Sequence, residues 1–410
     1  MCPSKKIMEN KEDDENVEDI TLETNSDSSD VSMTDSESEE NHESEELEED
    51  LDEEEEDEVI KAIRRANNKK RDHPPPLLLD EDITNLSFHP HADVIAISNI
   101  VGDVSLYKYS NEENTLVGTL ELHKTSCRDV EFSQDGKILF SVSTDMAIML
   151  SDFETQKLLR FYEDAHDEAI SCVSVLNENL FATGDDNGCI RLWDLRVNGT
   201  QQIYKAKKNE DYISDIITNE DEKYLLCSSG DGSLTTFDLQ NRKFLMQTEE
   251  YEEELTCLGL FRHETKLLSG TSKGKLLLFN WSEFGLHSDI FPGPKTCINS
   301  LVPITENIVV TACDDGILRA THLFPHRHLG IVGQHDFPIE NVDICNNGKF
   351  IASSSHKNDV QFWNIQYFED FEKVSHKHKK HEKKKELSNN LPSSKYGNAS
   401  DFFSDLVSNE

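Results

Sequence analysis

Long apolar runs, paired cysteines and tryptophan are what this sequence of 410 residues has little of. No stretch, including the start at Met1-Cys2-Pro3-Ser4-Lys5-Lys6, is apolar for long enough to be a signal peptide or a membrane span, so a soluble intracellular protein with no membrane partner is expected. The 9 cysteines are scattered, and no two stand at Cys-x-x-Cys spacing. That argues against a zinc or dithiol site and makes them reduced core residues. Basic residues are short too: 40 Lys and Arg face 81 Asp and Glu, a net charge of -41.

Catalytic signatures are also missing. Residues 270–274 spell G-x-S-x-G, but that elbow needs a strand-to-helix turn, and here one strand leads to another. Residues 270–275 fall one residue short of a phosphate loop and precede no helix. With no paired constellation, the expectation is a non-enzyme without metal or cofactor.

What the chain does have is a repeat. Residues 184–196, GDDNGCIRLWDLR, recur in diluted copies whose equivalents of Trp193 are Tyr107, Ser151, Phe237, Phe279, Thr321 and Trp363. Their successive spacings are 42 or 44 residues, the length of a blade of four short strands. Seven marks predict an all-β, seven-bladed β-propeller. Five residues before the mark stands Gly102, Gly188, Gly232, Gly274 or Gly316, with Met146 and Asn358 in the other copies. A hairpin turn needs positive φ there, which glycine adopts without cost and methionine does not.

A hydroxyl precedes the mark by ten residues at Ser141, Thr183, Ser269, Thr311 and Ser353, and a histidine by 27 or 28 at His123, His166 and His335. These residues resemble the WD-repeat family, in which His, Ser or Thr, Asp and Trp brace each blade. Aligned on that pattern, blade three has Asn187 where the family has Asp, and blade two has Asp145 but Ser151 for Trp. No blade then carries the whole set. Blade three is expected at 169–175, 180–184, 188–195 and 202–206, and 77–79 is the expected outer strand of blade seven, closing the ring.

The organisation is therefore an acidic tail at 1–72, a propeller at 77–366 and a basic tail at 367–410. Residues 1–58 hold 27 acids against Lys5, Lys6 and Lys11 and should be disordered. Ser32, Thr34 and Ser36 there suit acidophilic kinases. A short basic stretch follows at 59–71. Lys377, Lys379, Lys380, Lys383, Lys384 and Lys385 read as a nuclear or nucleolar signal, and the Phe402-Phe403 pair reads as a docking peptide.

Loops on one face carry Glu163, Asp164, Asp185, Asp186, Glu252, Glu253 and Glu254, an acidic rim that attracts Lys- and Arg-rich proteins and repels bare nucleic acid. Blade three, SSGDGSL at 228–234, LFNWSEFG at 278–285, VGQHDFPIE at 332–340 and the DFFSDL tail resemble a nucleolar branch of WD-repeat proteins. That resemblance implies a non-enzymatic scaffold of nucleus and nucleolus, with the cytoplasm as a further compartment. It would support ribosomal RNA production, processing and ribosome biogenesis. The implied partners of the monomeric ring are basic preribosomal or ribosomal factors, and direct RNA contact stays open. Trp193, Asp194 and Arg196 are also similar to the adaptor-binding box of WD-repeat substrate receptors for cullin-RING ubiquitin ligases. That likeness implies a ligase adaptor as the alternative partner.

Overall fold

The computed structural model describes residues 72–197 and 202–368, in which 28 strands form seven four-stranded antiparallel sheets. Blade three shows why the repeat makes them. Its strands β10 (Ile170–Val175), β11 (Leu180–Asp185), β12 (Cys189–Asp194) and β13 (Tyr204–Lys207) lie within two residues of expectation. β12 is buried along its whole length and β11 nearly so, since each middle strand packs against two neighbouring blades. The outer strand β13 alternates half-buried and exposed residues, the period of two of a strand with one wet face.

The innermost strands follow one another around an axis: β2 (Ile83–Phe88), β6 (Cys127–Phe132), β10, β14 (Ile213–Thr218), β18 (Leu255–Phe261), β22 (Ile298–Thr305) and β26 (Ile339–Ile344). β26 packs against β2, so the ring closes. The closing strand is the expected one. β1 (Leu77–Leu78) pairs with β28 (Asp359–Asn364) through Leu77 with Val360 and Leu78 with Asp359, completing blade seven from the start of the ring. Before it run Pro74, Pro75 and Pro76, which have no N–H to offer a further strand.

Apolar clusters fill the spaces between blades. Phe140 and Tyr162 of blade two meet Phe181 and Trp193 of blade three, with Phe181 stacked on Trp193 at 6.0 Å. Trp193, Phe237 and Phe279 are buried repeat marks, and Ser151 and Thr321 are buried as well.

The turn chemistry is enforced at all seven positions. Gly188 has φ 71° and Gly232 φ 81°, and a Cβ at either would collide with the carbonyl of Asn209 or Tyr251 in the loop to the next blade. Asn358 is held at φ 60°, and Met146 is forced to φ 64°. A left-handed conformation costs an L-residue about 1 kcal/mol, part of which glycine's extra unfolded-state entropy offsets. Met146→Gly should therefore stabilise the ring by about 0.5 kcal/mol, and Gly188→Ala should destabilise it by about 2 kcal/mol or more. Urea midpoints decide it, and a midpoint lowered by Met146→Gly refutes the strain argument.

Candidate interaction face

The blades are braced by buried polar chains. In blade three Trp193 Nε1 donates to Thr183 Oγ1 at 2.9 Å, Thr183 Oγ1 lies 2.6 Å from His166 Nε2, and His166 Nδ1 lies 2.8 Å from Asp185 Oδ2. Burial holds the His166 imidazole below its ordinary pKa, although Asp185 pulls the other way. A neutral ring leaves one donor order that satisfies every atom: Trp193 to Thr183, Thr183 to His166, His166 to Asp185. Asp185 also accepts the N–H groups of Asn187 and Cys189, fixing the turn.

The brace corrects the sequence reading. Blade three does hold a complete set, and the acid is Asp185, not the residue at 187. Blade two uses Asp145 with His123 and Ser141. Burial raises the Asp145 carboxyl, but the bond and charge of His123 outweigh it and bring the pKa to about 2. Blade seven joins Trp363, Ser353 and His335, with Asp359 3.5 Å from the imidazole. Blade five inverts the charges. Glu253 takes the histidine's place, accepts from Thr271 at 2.9 Å and pairs with Lys275.

Asp185 and Glu253 are consequently internal. Of the expected rim, Glu163, Asp164, Glu252 and Glu254 are exposed, and half-buried Asp186 pairs with Arg128. They share a face because the first residue of each inner strand pairs with the last of its neighbour, as Ile170 does with Asp185. On the box, Trp193 is core, whereas Arg196 is 65% exposed and gives Nε and Nη2 to Asp194 at 2.9 and 2.7 Å. The lysines at 377–385 lie outside the described residues.

Sequence reasoning missed the axis of the ring. Every inner strand has a β-bulge after its first residue, and bulges re-aim side chains. At five junctions the bulged residue donates to the next blade's carbonyl: Thr84 to Cys127, Ser171 to Ile213 (2.6 Å), Ser214 to Leu255 (2.6 Å), Thr256 to Ile298 and Asn299 to Ile339 (2.8 Å). At a sixth junction Arg128 reaches Asp186, whereas Glu340 of blade seven pairs within its own blade, with His356 at 2.7 Å.

Deeper in, carboxylates accept backbone N–H groups across junctions: Asp129 from Val173 (2.8 Å), Glu131 from Val175 (2.8 Å), Asp215 from Leu258 (2.8 Å) and Asp343 from Phe88 (2.7 Å). These acids line a central cavity of about 670 Å³ whose wall includes no Lys or Arg among the described residues. Burial pushes Asp129 up to about 7 and Asp215 and Asp343 up to about 6, against the lowering effect of the donated N–H groups.

At the rim face this axis opens into a hollow of about 700 Å³ bordered by Asp211, Tyr212, Glu254 and Glu340 and by Arg128, whose charge is met by Asp186. Tyr212 donates its hydroxyl to Glu254 at 3.2 Å. Carboxylates around an aromatic ring favour a cationic side chain, through charge and the ring's negative face.

A closed ring of seven blades, four of them braced by these buried polar chains, open to a polar hollow on one face, defines a WD-repeat β-propeller, a fold that serves as a scaffold for protein-protein interaction. The chain belongs to the WDR55 family, whose model matches residues 74–368. It is 50% identical over 359 residues to the WD repeat-containing protein 55 homolog of Drosophila erecta, covering 87% of this chain and 72% of the relative. The homolog of Drosophila yakuba is 51% identical over 348 residues (85% and 69%), and that of Drosophila ananassae 49% over 362 (88% and 75%).

Proposed function

We propose that this propeller is a non-enzymatic nucleolar scaffold that supports ribosomal RNA production, processing and ribosome biogenesis by holding basic preribosomal or ribosomal proteins. The observation that carries the binding mode is the hollow that Asp211, Glu254 and Glu340 border together with Tyr212. The lysines at 377–385 support the nucleolar address. The ligase-receptor reading rests on exposed Arg196, whose guanidinium is already engaged twice by Asp194.

The test is affinity purification from nuclei with the full chain and an Asp211→Lys, Glu254→Lys variant. Basic preribosomal proteins should be recovered with the wild type and fall at least tenfold with the variant, at unchanged melting temperature. Equal recovery with both chains overturns the binding mode. A cullin adaptor that is lost on Arg196→Ala, with no preribosomal protein, favours the receptor reading.

A further inference from the structure

The outer strand of each blade is a sheet edge, and three of these edges are blunted against further pairing. β13 carries Lys205 and Lys207, β21 (Asp289–Pro292) ends in a proline, and prolines precede β1. The outer strand of blade four is different. β17 (Lys243–Gln247) pairs with β16 (Leu234–Asp238) and, among the described residues, with no other strand. It is exposed along its first four residues and half-buried at the last. Phe244, Leu245 and Met246 follow one another there at 38%, 45% and 40% exposure.

The charges beside this apolar strip are polarised. Exposed Arg242 and Lys243 stand at its start, and exposed Glu249 and Glu250 stand just past its end. An extended acidic peptide laid along the edge would satisfy the first pair but set its charge against the second, and a basic peptide would do the reverse. A strand basic at one end and acidic at the other is complementary to an antiparallel copy of itself. With a two-fold axis at Leu245, Phe244 faces Met246 of the second copy and Lys243 faces Gln247. Lys243 and Arg242 are then one diagonal step from Glu249 and Glu250 of that copy, within reach of long side chains.

We propose that β17 is the two-fold contact of a homodimer, in which the four-stranded sheets of two copies of blade four join edge to edge. A bulge at Leu245 interrupts the ladder to β16. The contact is therefore two short ladders, 243–244 against 246–247, on either side of the leucine pair. Being isologous, it closes at two copies instead of growing into a filament. Five residues a side bury less than about 1,200 Å² in total, the size of weak and transient interfaces, so the dimer forms in the micromolar range. The residues bordering the axial hollow come from other strands and loops. The inference thus stands independently of the proposed function.

Sedimentation equilibrium of the full-length protein tests it, at about 150 mM salt, where charges more than about 8 Å apart are screened. One variant carries Arg242→Glu with Lys243→Glu, a second carries Glu249→Lys with Glu250→Lys, and a third carries all four substitutions. Each of the first two sets like charges against each other and should raise the dimer Kd at least tenfold. The third reverses the polarity of the strand without changing its net charge and should restore the wild-type Kd to within about threefold. Leu245→Lys brings two ammonium groups to the axis and should abolish the dimer. Leu159→Lys on β9 (Lys157–Tyr162), an equally exposed apolar residue of another outer strand, should leave it unchanged. Melting temperatures should stay constant throughout, since every substituted side chain is exposed.

A wild type that remains monomeric at about 200 μM overturns the proposal. So does a dimer that the third variant does not restore, because its charges would then act without a register. Loss of association on Leu159→Lys, or oligomers larger than two, would place the contact elsewhere.

Discussion

His166→Ala should lower the unfolding free energy of the ring by about 3 kcal/mol or more, the cost of taking a neutral imidazole donor from a buried carboxylate together with that of the void the ring leaves. Asp185 would lose the imidazole donor at almost no exposure, and Thr183 would lose its acceptor. The truncated ring also leaves a void beside Trp193, whose indole lies 6.4 Å from the imidazole. Trp193 is therefore a local fluorescence probe of the same event. Urea titration followed by tryptophan emission should show an early transition in the variant, with trypsin cutting near blade three. A midpoint change worth less than about 0.5 kcal/mol would mean that the polar chain adds nothing to the apolar packing around it. Glu253→Ala should cost less, because the Lys275 left behind is half exposed and can turn to solvent.

A second large effect is set by pH at the ring's axis. Asp129 has a raised folded pKa, so between about pH 4 and 7 the native state binds a proton that the unfolded chain has released. Native protonation exceeding unfolded protonation makes stability rise as pH falls through that window. The acids on the cavity wall are Asp129, Glu131, Asp215, Glu340 and Asp343, with no Lys or Arg there to offset them among the described residues. Buried His166 and His335 act in the opposite sense. Their folded pKa values are lowered by burial, so they favour unfolding as pH falls below the ordinary histidine range.

The two contributions separate in a comparison. The stability advantage of wild type over Asp129→Asn should be greater at pH 5.5 than at pH 8.5 by on the order of 2 kcal/mol, after allowance for screening in the open axis. The constant cost of setting an amide NH2 against an N–H of Val130, Val173 or Asn85 cancels in that difference. Parallel pH profiles would show that Asp129 titrates normally.

The blade count, the turns and the closing strand were legible because each is written within one repeat or at its ends. Gly188, Thr183, His166 and Trp193 recur at fixed offsets, and 77–79 was the apolar segment left to fill blade seven. The brace acid was misplaced because it has no fixed offset. Asp185, Asp145 and Asp359 follow their hydroxyls by two, four and six residues, and a tight turn brings each to the imidazole of its own blade, His166, His123 or His335. Glu253 was read as a surface charge because nothing in its own loop announces Lys275, two strands on. The axis was illegible for a different reason. Thr84 or Asp129 acquires its role from a carbonyl or N–H in the next blade, and that register exists only once the ring is shut. In the adaptor box, the burial of Trp193 and the engagement of Arg196 by Asp194 needed side-chain geometry.

The pairing of Leu77 and Leu78 with β28 joins residues about 280 apart. At roughly 5–20 residues per second, a ribosome needs about 15–60 s to deliver the partner after the first leucine has emerged. For that interval blade one has a bare flank and β1 an unpaired edge, so the nascent chain must be shielded until its last strand is made. A stop codon just before β28 should thus yield a chaperone-bound or degraded open chain, whereas one shortly after Phe368 leaves every ladder of the ring intact.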